Sequence, residues 1–127
     1  MVPEAVEAAR RLHQEGVADN VLVITSADRL FAAYAAGRRR ALQGKPARYG
    51  QLERLLPPAE RRAPIVTVID GASHSLSFLG SVFGAPLIPL GVDQFGQSGS
   101  RAALYRYYGI DPDAIVAAAL AALDEVD

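Results

Sequence analysis

Short, uninterrupted aliphatic runs set between helical stretches constrain this chain most. Val21-Leu22-Val23-Ile24, Ile65-Val66-Thr67-Val68-Ile69 and the run from Pro86 to Val92 are apolar on successive residues rather than on alternate ones. A strand with one wet face alternates apolar and polar, whereas a strand covered by helices on both faces need not. The runs predict a mainly parallel sheet between two helix layers, a three-layer α/β/α domain. Pro89 has no N–H to give a ladder and places the third run at an edge or an irregularity. Three strands are few for a sheet that commonly holds about five or six.

The stretches between the runs carry helix punctuation. Pro3 suits a first turn, Glu4 and Glu7 favour the positive end, and Gly16 is a stop, so Val2 to Gln14 reads as a helix. Ser26 is an N-cap for a helix from Ala27 toward Leu42, with Gly37 weakening its middle. Leu52, Leu55 and Leu56 form a short helix closed by Pro57-Pro58, within an irregular excursion from residue 45 to 64. A short helix carrying Leu76, Phe78, Leu79 and Val82 stops at Gly84, and Arg101 to Tyr108 is a helix ending at Gly109. Asp111 caps a last helix with Pro112 at its first position, and Ile115, Val116, Ala119, Leu120 and Leu123 pack it.

Composition narrows the chemistry. The 127 residues suffice for one domain, half are hydrophobic, and the net charge of −1 calls for neither nucleic acid nor an anionic membrane. Arg38, Arg39 and Arg40 form the only cationic cluster and read as a solvated helix face. Cysteine is absent, so disulfides and thiolate metal sites are excluded. No apolar run has membrane-spanning length, and Val2 to Gln14 is amphipathic rather than a signal peptide, so the expected compartment is the cytoplasm. Met1 directly before a helix start suggests an added initiator on a chain cut from something larger.

Ligands of open parallel sheets sit at the carboxyl ends of the strands. Those ends here carry Ser26 and Asp28, then Asp70, His74 and Ser75, then Asp93, Phe95, Gly96, Ser98 and Arg101. The predicted rim is a polar contact surface. Ser73, His74, Asp70 and Asp93 supply the residue types of a hydrolase triad, but Gly71 to Ser75 and Gly96 to Ser100 both miss the G-x-S-x-G elbow. The helix starts after Ser73 and Ser100 favour anions, yet no phosphate-loop pattern is present. Arg101 could serve such an anion or pair with Asp93. Tyr105, Tyr107 and Tyr108 read as core or interface, with no basic groove beside them.

The order of Asp70-Gly71, the helix Ser75 to Val82, the run Leu90 to Ser98, Leu104-Tyr105-Arg106-Tyr107-Tyr108-Gly109 and Asp111 to Ala119 resembles the C-terminal domain of transketolase and homodimeric pyruvate dehydrogenase E1 enzymes. Ser26-Ala27-Asp28-Arg29-Leu30 is similar to the same group. The resemblance is most specific at Asp93, Phe95, Gly96, Ser98 and Gly109, and weakest between residues 38 and 63. Relatives often place a second histidine where this chain has Ala72.

The resemblance implies a five-stranded domain of which residues 1–127 are an N-terminally incomplete fragment, missing the first two strands. Exposed strand edges are then expected, with a tendency to associate. It further implies a non-catalytic domain of a thiamine-diphosphate enzyme. The cofactor and its magnesium would be bound by absent domains, and none by this chain. The implied partners are those upstream domains, a homodimer mate and a lipoyl-transferring E2. The alternative reading is a free-standing anion-binding or regulatory module.

Overall fold

The structure, a computed structural model, describes residues 1–93 and 100–125, the side chains of Arg101 and Ala102 excepted. Helix α1 spans Val2–Gln14 and α2 spans Ala27–Leu42. Helix α3 covers Gln51–Leu55, strand β1 Ile65–Val68, α4 Leu79–Phe83 and β2 Leu87–Leu90. Helix α5 runs over Arg101–Tyr108 and α6 over Pro112–Asp124. Single 3-10 turns stand at Pro58–Glu60 and Ser73–Leu76.

The helix boundaries follow the local signals. Asp111 accepts a hydrogen bond from the Ala114 N–H at 3.0 Å, and Ser100 accepts one from Ala103 at 3.2 Å. Gly109 takes the left-handed conformation at φ 71°, which a side chain would strain, and so ends α5. Ser26 occupies the N-cap position of α2 without a side-chain capping bond.

Strands β1 and β2 pair in parallel, with Ile65 opposite Leu87 and Val68 opposite Leu90. On one face Ile65 and Leu87 pack on a core of Leu30, Tyr49, Leu52, Leu76, Leu79 and Val82, supplied by α2, α3, α4 and their flanks. The other face rests on α6, and α1 lies on α6 in turn. Ala8 and Leu12 of α1, four residues apart, are buried there, as are Ile115, Ala118 and Ala122 of α6. At the surface of that pair Arg11 bridges Glu7 on its own helix and Asp113 on α6. Hydrogen bonds from Arg10 and then Arg11 hold the Glu7 carboxyl at about 2, well below its ordinary range.

The expected first strand is not one. Residues 17–24 form neither strand nor helix, and Val21, Leu22 and Val23 are 40%, 49% and 56% exposed. A strand's hydrogen bonds come from a neighbour, so an apolar β-branched run without one in register has propensity but no ladder. Ile24 still packs on the core, and Asn20 donates to Glu60 at 2.6 Å. The described sheet thus has two strands rather than three, in keeping with a family domain that lacks strands.

Gly37 was expected to weaken α2, and its surroundings show why it is there. A Cβ on Gly37 would stand 2.5 Å from Tyr49 Cδ1 and 2.8 Å from the Arg48 carbonyl oxygen. The Tyr49 ring, stacked on Tyr34 with centroids 6.0 Å apart, fills that space. Gly37→Ala should therefore lower stability by about 1–3 kcal/mol, opposite in sign to the helix-propensity gain of about 1 kcal/mol. Leu52→Ala, at a fully buried position, should cost about 2–5 kcal/mol. Urea unfolding of both variants beside the parent chain checks the two values.

Candidate functional site: a polar rim at the strand ends

Beyond β1 the chain continues through Ile69 to Asp70 and Gly71, and beyond β2 through Gly91 to Asp93. The two stay together: Ile69 N donates to Leu90 O at 3.1 Å, and Val92 N donates to Gly71 O at 2.6 Å. Gly91 makes this approach possible. A Cβ there would lie 2.5 Å from Ser73 Cα and 2.6 Å from Gly71 O, and both are backbone atoms that cannot swing aside.

The close approach sets Asp93 over the start of the Ser73–Leu76 turn. One carboxylate oxygen accepts the Ser73 N–H at 2.9 Å and the other accepts the Ser73 hydroxyl at 2.7 Å. Asp93 therefore caps the turn from a distant strand end. The backbone bond from Ser73, its hydroxyl bond and the nearby charge of His74 hold the Asp93 carboxyl below its ordinary range, largest cause first.

A shallow hollow of about 350 Å³ opens beside this clasp, lined by Gly91, Asp93, Tyr107 and Tyr108. The two phenol rings meet edge to face with centroids 5.1 Å apart. Of the three tyrosines of α5, Tyr107 and Tyr108 line the hollow. Asp93 lies fourteen residues before Tyr107, and no local spacing encodes their meeting at the hollow.

The predicted rim assembles in part. Asp70, Ser73, His74, Ser75 and Asp93 lie on the two strand extensions and the turn between them, with Asp70, His74 and Ser75 exposed. Ser26 and Asp28 open α2, and since Val21–Ile24 is not in the sheet, no strand carries them to the rim. Phe95, Gly96 and Ser98 lie outside the described residues, as does the side chain of Arg101.

Chemically the arrangement is a clasp rather than a reacting set. A triad needs a histidine between serine and carboxylate to take the hydroxyl proton. Here the Ser73 hydroxyl donates straight to Asp93, and no imidazole intervenes. A magnesium diphosphate group does not fit the hollow either: its charged lining group is a carboxylate already committed to Ser73. Among the described residues no cluster of three or more histidine, aspartate or glutamate side chains could hold a metal ion, and no helix is long and apolar enough to cross a membrane. Exposed hydroxyls, carboxylates and phenols instead suit hydrogen bonding to another protein surface.

A family model described as the transketolase-like TK C-terminal domain matches residues 1–111. No curated protein and no solved structure matches the chain.

Two predictions follow from the clasp. Gly91→Ala should destabilise by about 1–3 kcal/mol, because the new methyl meets backbone on two sides; thermal unfolding checks it. For Asp93 the folded pKa lies below the unfolded one. Its contribution to stability is complete above the unfolded carboxylate value of about 4 and is lost as pH falls through the lower folded value. The pH dependence of the unfolding midpoint should flatten in that acid window in Asp93→Asn, which carries no ionisable carboxyl.

Proposed function

The chain belongs to the transketolase-like C-terminal domain family, and on that footing we propose that it is the non-catalytic C-terminal domain of a thiamine-diphosphate-dependent enzyme. In this reading the parent is a pyruvate dehydrogenase E1 or a transketolase, working in the cytoplasm. Thiamine diphosphate and magnesium sit on its other domains. This domain packs against those domains, helps two subunits assemble and, in an E1 parent, offers a surface to the lipoyl-transferring E2.

One observation carries the reading. Asp93, the rim carboxylate on the β2 extension, has both oxygens spent on Ser73, so it holds the two strand ends together rather than standing free for a reaction. A polar rim beside the exposed Tyr107 and the half-buried Tyr108 suits docking. Its hydrogen-bonding groups stay in place before and after contact, which lowers the ordering cost of association.

The runner-up is a free-standing anion-binding or regulatory module. Ser100 and the start of α5 motivate it, since helix N-termini favour anions.

Calorimetry separates the two. The isolated chain should give no heat with magnesium and thiamine diphosphate, nor with phosphate, pyruvate or nucleotides at millimolar concentration. Added thiamine-diphosphate-binding domains from the reading frame upstream should shift its sedimentation to that of a complex. Heat with a small anion and no such shift would favour the module.

A further inference from the structure

The net charge of −1 conceals an uneven division. Residues 27–62 carry nine basic side chains against three acidic ones, and the rest of the chain carries four against eleven. The structure turns this stretch of sequence into one layer of the molecule. Helix α3 packs on α2, and Tyr49, just before α3, fills the space beside Gly37. The layer covers one face of the sheet, while α6 and α1 lie over the other. Lys45, Arg48 and Arg54 thus share a layer with Arg38, Arg39 and Arg40, and all six are exposed.

Cations of this layer are held in place without being neutralised. Arg38 donates to the Tyr34 hydroxyl at 3.3 Å and to the Ser81 carbonyl oxygen at 2.9 Å, with its guanidinium 5.4 Å from the Tyr34 ring centre. Arg40 donates to the Pro46 carbonyl oxygen at 3.0 Å. Arg61 donates to the Leu56 carbonyl oxygen at 2.9 Å and lies 4.1 Å over the Phe83 ring. Every one of these partners is neutral. Among the described residues the ion pairs join Met1, Arg10 and Arg11 to Glu4, Glu7 and Asp113, so none falls within residues 27–62. A solvated face of mixed sign forms such pairs, as α1 does. A carboxylate arriving on α2 would meet guanidinium groups already oriented, which lowers the ordering cost of a charge-assisted bond. Beside Arg38 the surface turns aromatic: Phe31 is 52% exposed and meets Phe78 edge to face at 5.3 Å. Arginine beside aromatic side chains is the make-up of the energetic centre of protein interfaces.

Phosphates bind arginine as readily as carboxylates do. The eleven acidic residues elsewhere on the chain, however, repel a long polyanion or an anionic bilayer, either of which would extend past this layer. A protein segment of limited length touches the layer alone. We propose that the α2–α3 layer is a docking surface for an acidic protein segment, whose carboxylates pair with Arg38, Arg39 and Arg40 and whose apolar side chain covers Phe31. This goes beyond the docking role proposed for the strand-end rim. It uses no residue of the rim, so its failure would leave that role standing.

Fluorescence anisotropy on the whole chain tests the proposal. The probes are a labelled glutamate peptide with leucine at every fourth position, an all-glutamate peptide of equal length and a uridine oligonucleotide. Phosphatidylserine vesicles are read by co-sedimentation. The leucine-bearing peptide should bind most tightly of all, and added salt should weaken it. The Arg39 guanidinium bonds to no described group, so reversing its charge leaves the fold intact. Arg39→Glu should lower affinity for that peptide about tenfold or more. Arg106→Glu, exposed on α5, changes the net charge equally and should lower it about twofold at most. Phe31→Ala should bring the leucine-bearing peptide down to the level of the all-glutamate one and leave the latter unchanged. Any of four results overturns the proposal: no peptide binding at low salt, tighter binding to the oligonucleotide or the vesicles, equal losses from the two charge reversals, or equal binding of the two peptides.

Discussion

The parallel ladder between β1 and β2 is the constraint from which the rest of the domain takes its form. Parallel strands cannot be joined by a tight turn; they need a crossover, and here the Ser73–Leu76 turn and α4 provide it. Two four-residue strands have little stability of their own. They persist because α6 covers one face and the Leu52 cluster the other. The sheet is thus less the source of the core than the plane along which two helix layers meet.

The same ladder determines what the strand ends can do. Because the pairing runs on past β1 and β2 to Gly71 and Val92, the chain reaches Asp93 with its direction already set. Gly91 permits the contact and Ser73 receives it. Two hydrogen bonds then fix the geometry of a surface whose residue types resemble those of an active site. Composition alone cannot tell such a rim from a triad, since the distinction lies in which atom bonds to which.

Helices were legible in the sequence because their signals are local. Pro3, Gly109 and Asp111-Pro112 act within one turn, and the start of α1, the end of α5 and the start of α6 fall where those residues place them. The strand readings for Ile65 and Leu87 held because each run has the other as a neighbour. Val21–Ile24 has equal β-propensity and no neighbour, and propensity by itself forms no ladder. The clasp was half legible: Asp93 and Ser73 stood out as residues of the rim, but their direct bond depends on Gly91, whose role is a close approach between segments twenty residues apart in sequence. The resemblance to the transketolase C-terminal domain, carried by motif order, was confirmed over residues 1–111.

The pairing of α1 with α6 has a kinetic side. The apolar stripe of the first helix, Ala8 and Leu12, finds its cover on a helix more than a hundred residues later, and Arg11 reaches Asp113 across the same distance. Contacts so remote in sequence form late, because a long loop must close before they contribute. Among the described residues the cover of Ala8 and Leu12 is α6, so this contact waits for the end of the domain to be in place. The order of the chain thus makes the α1–α6 seam one of the last parts of the domain to close.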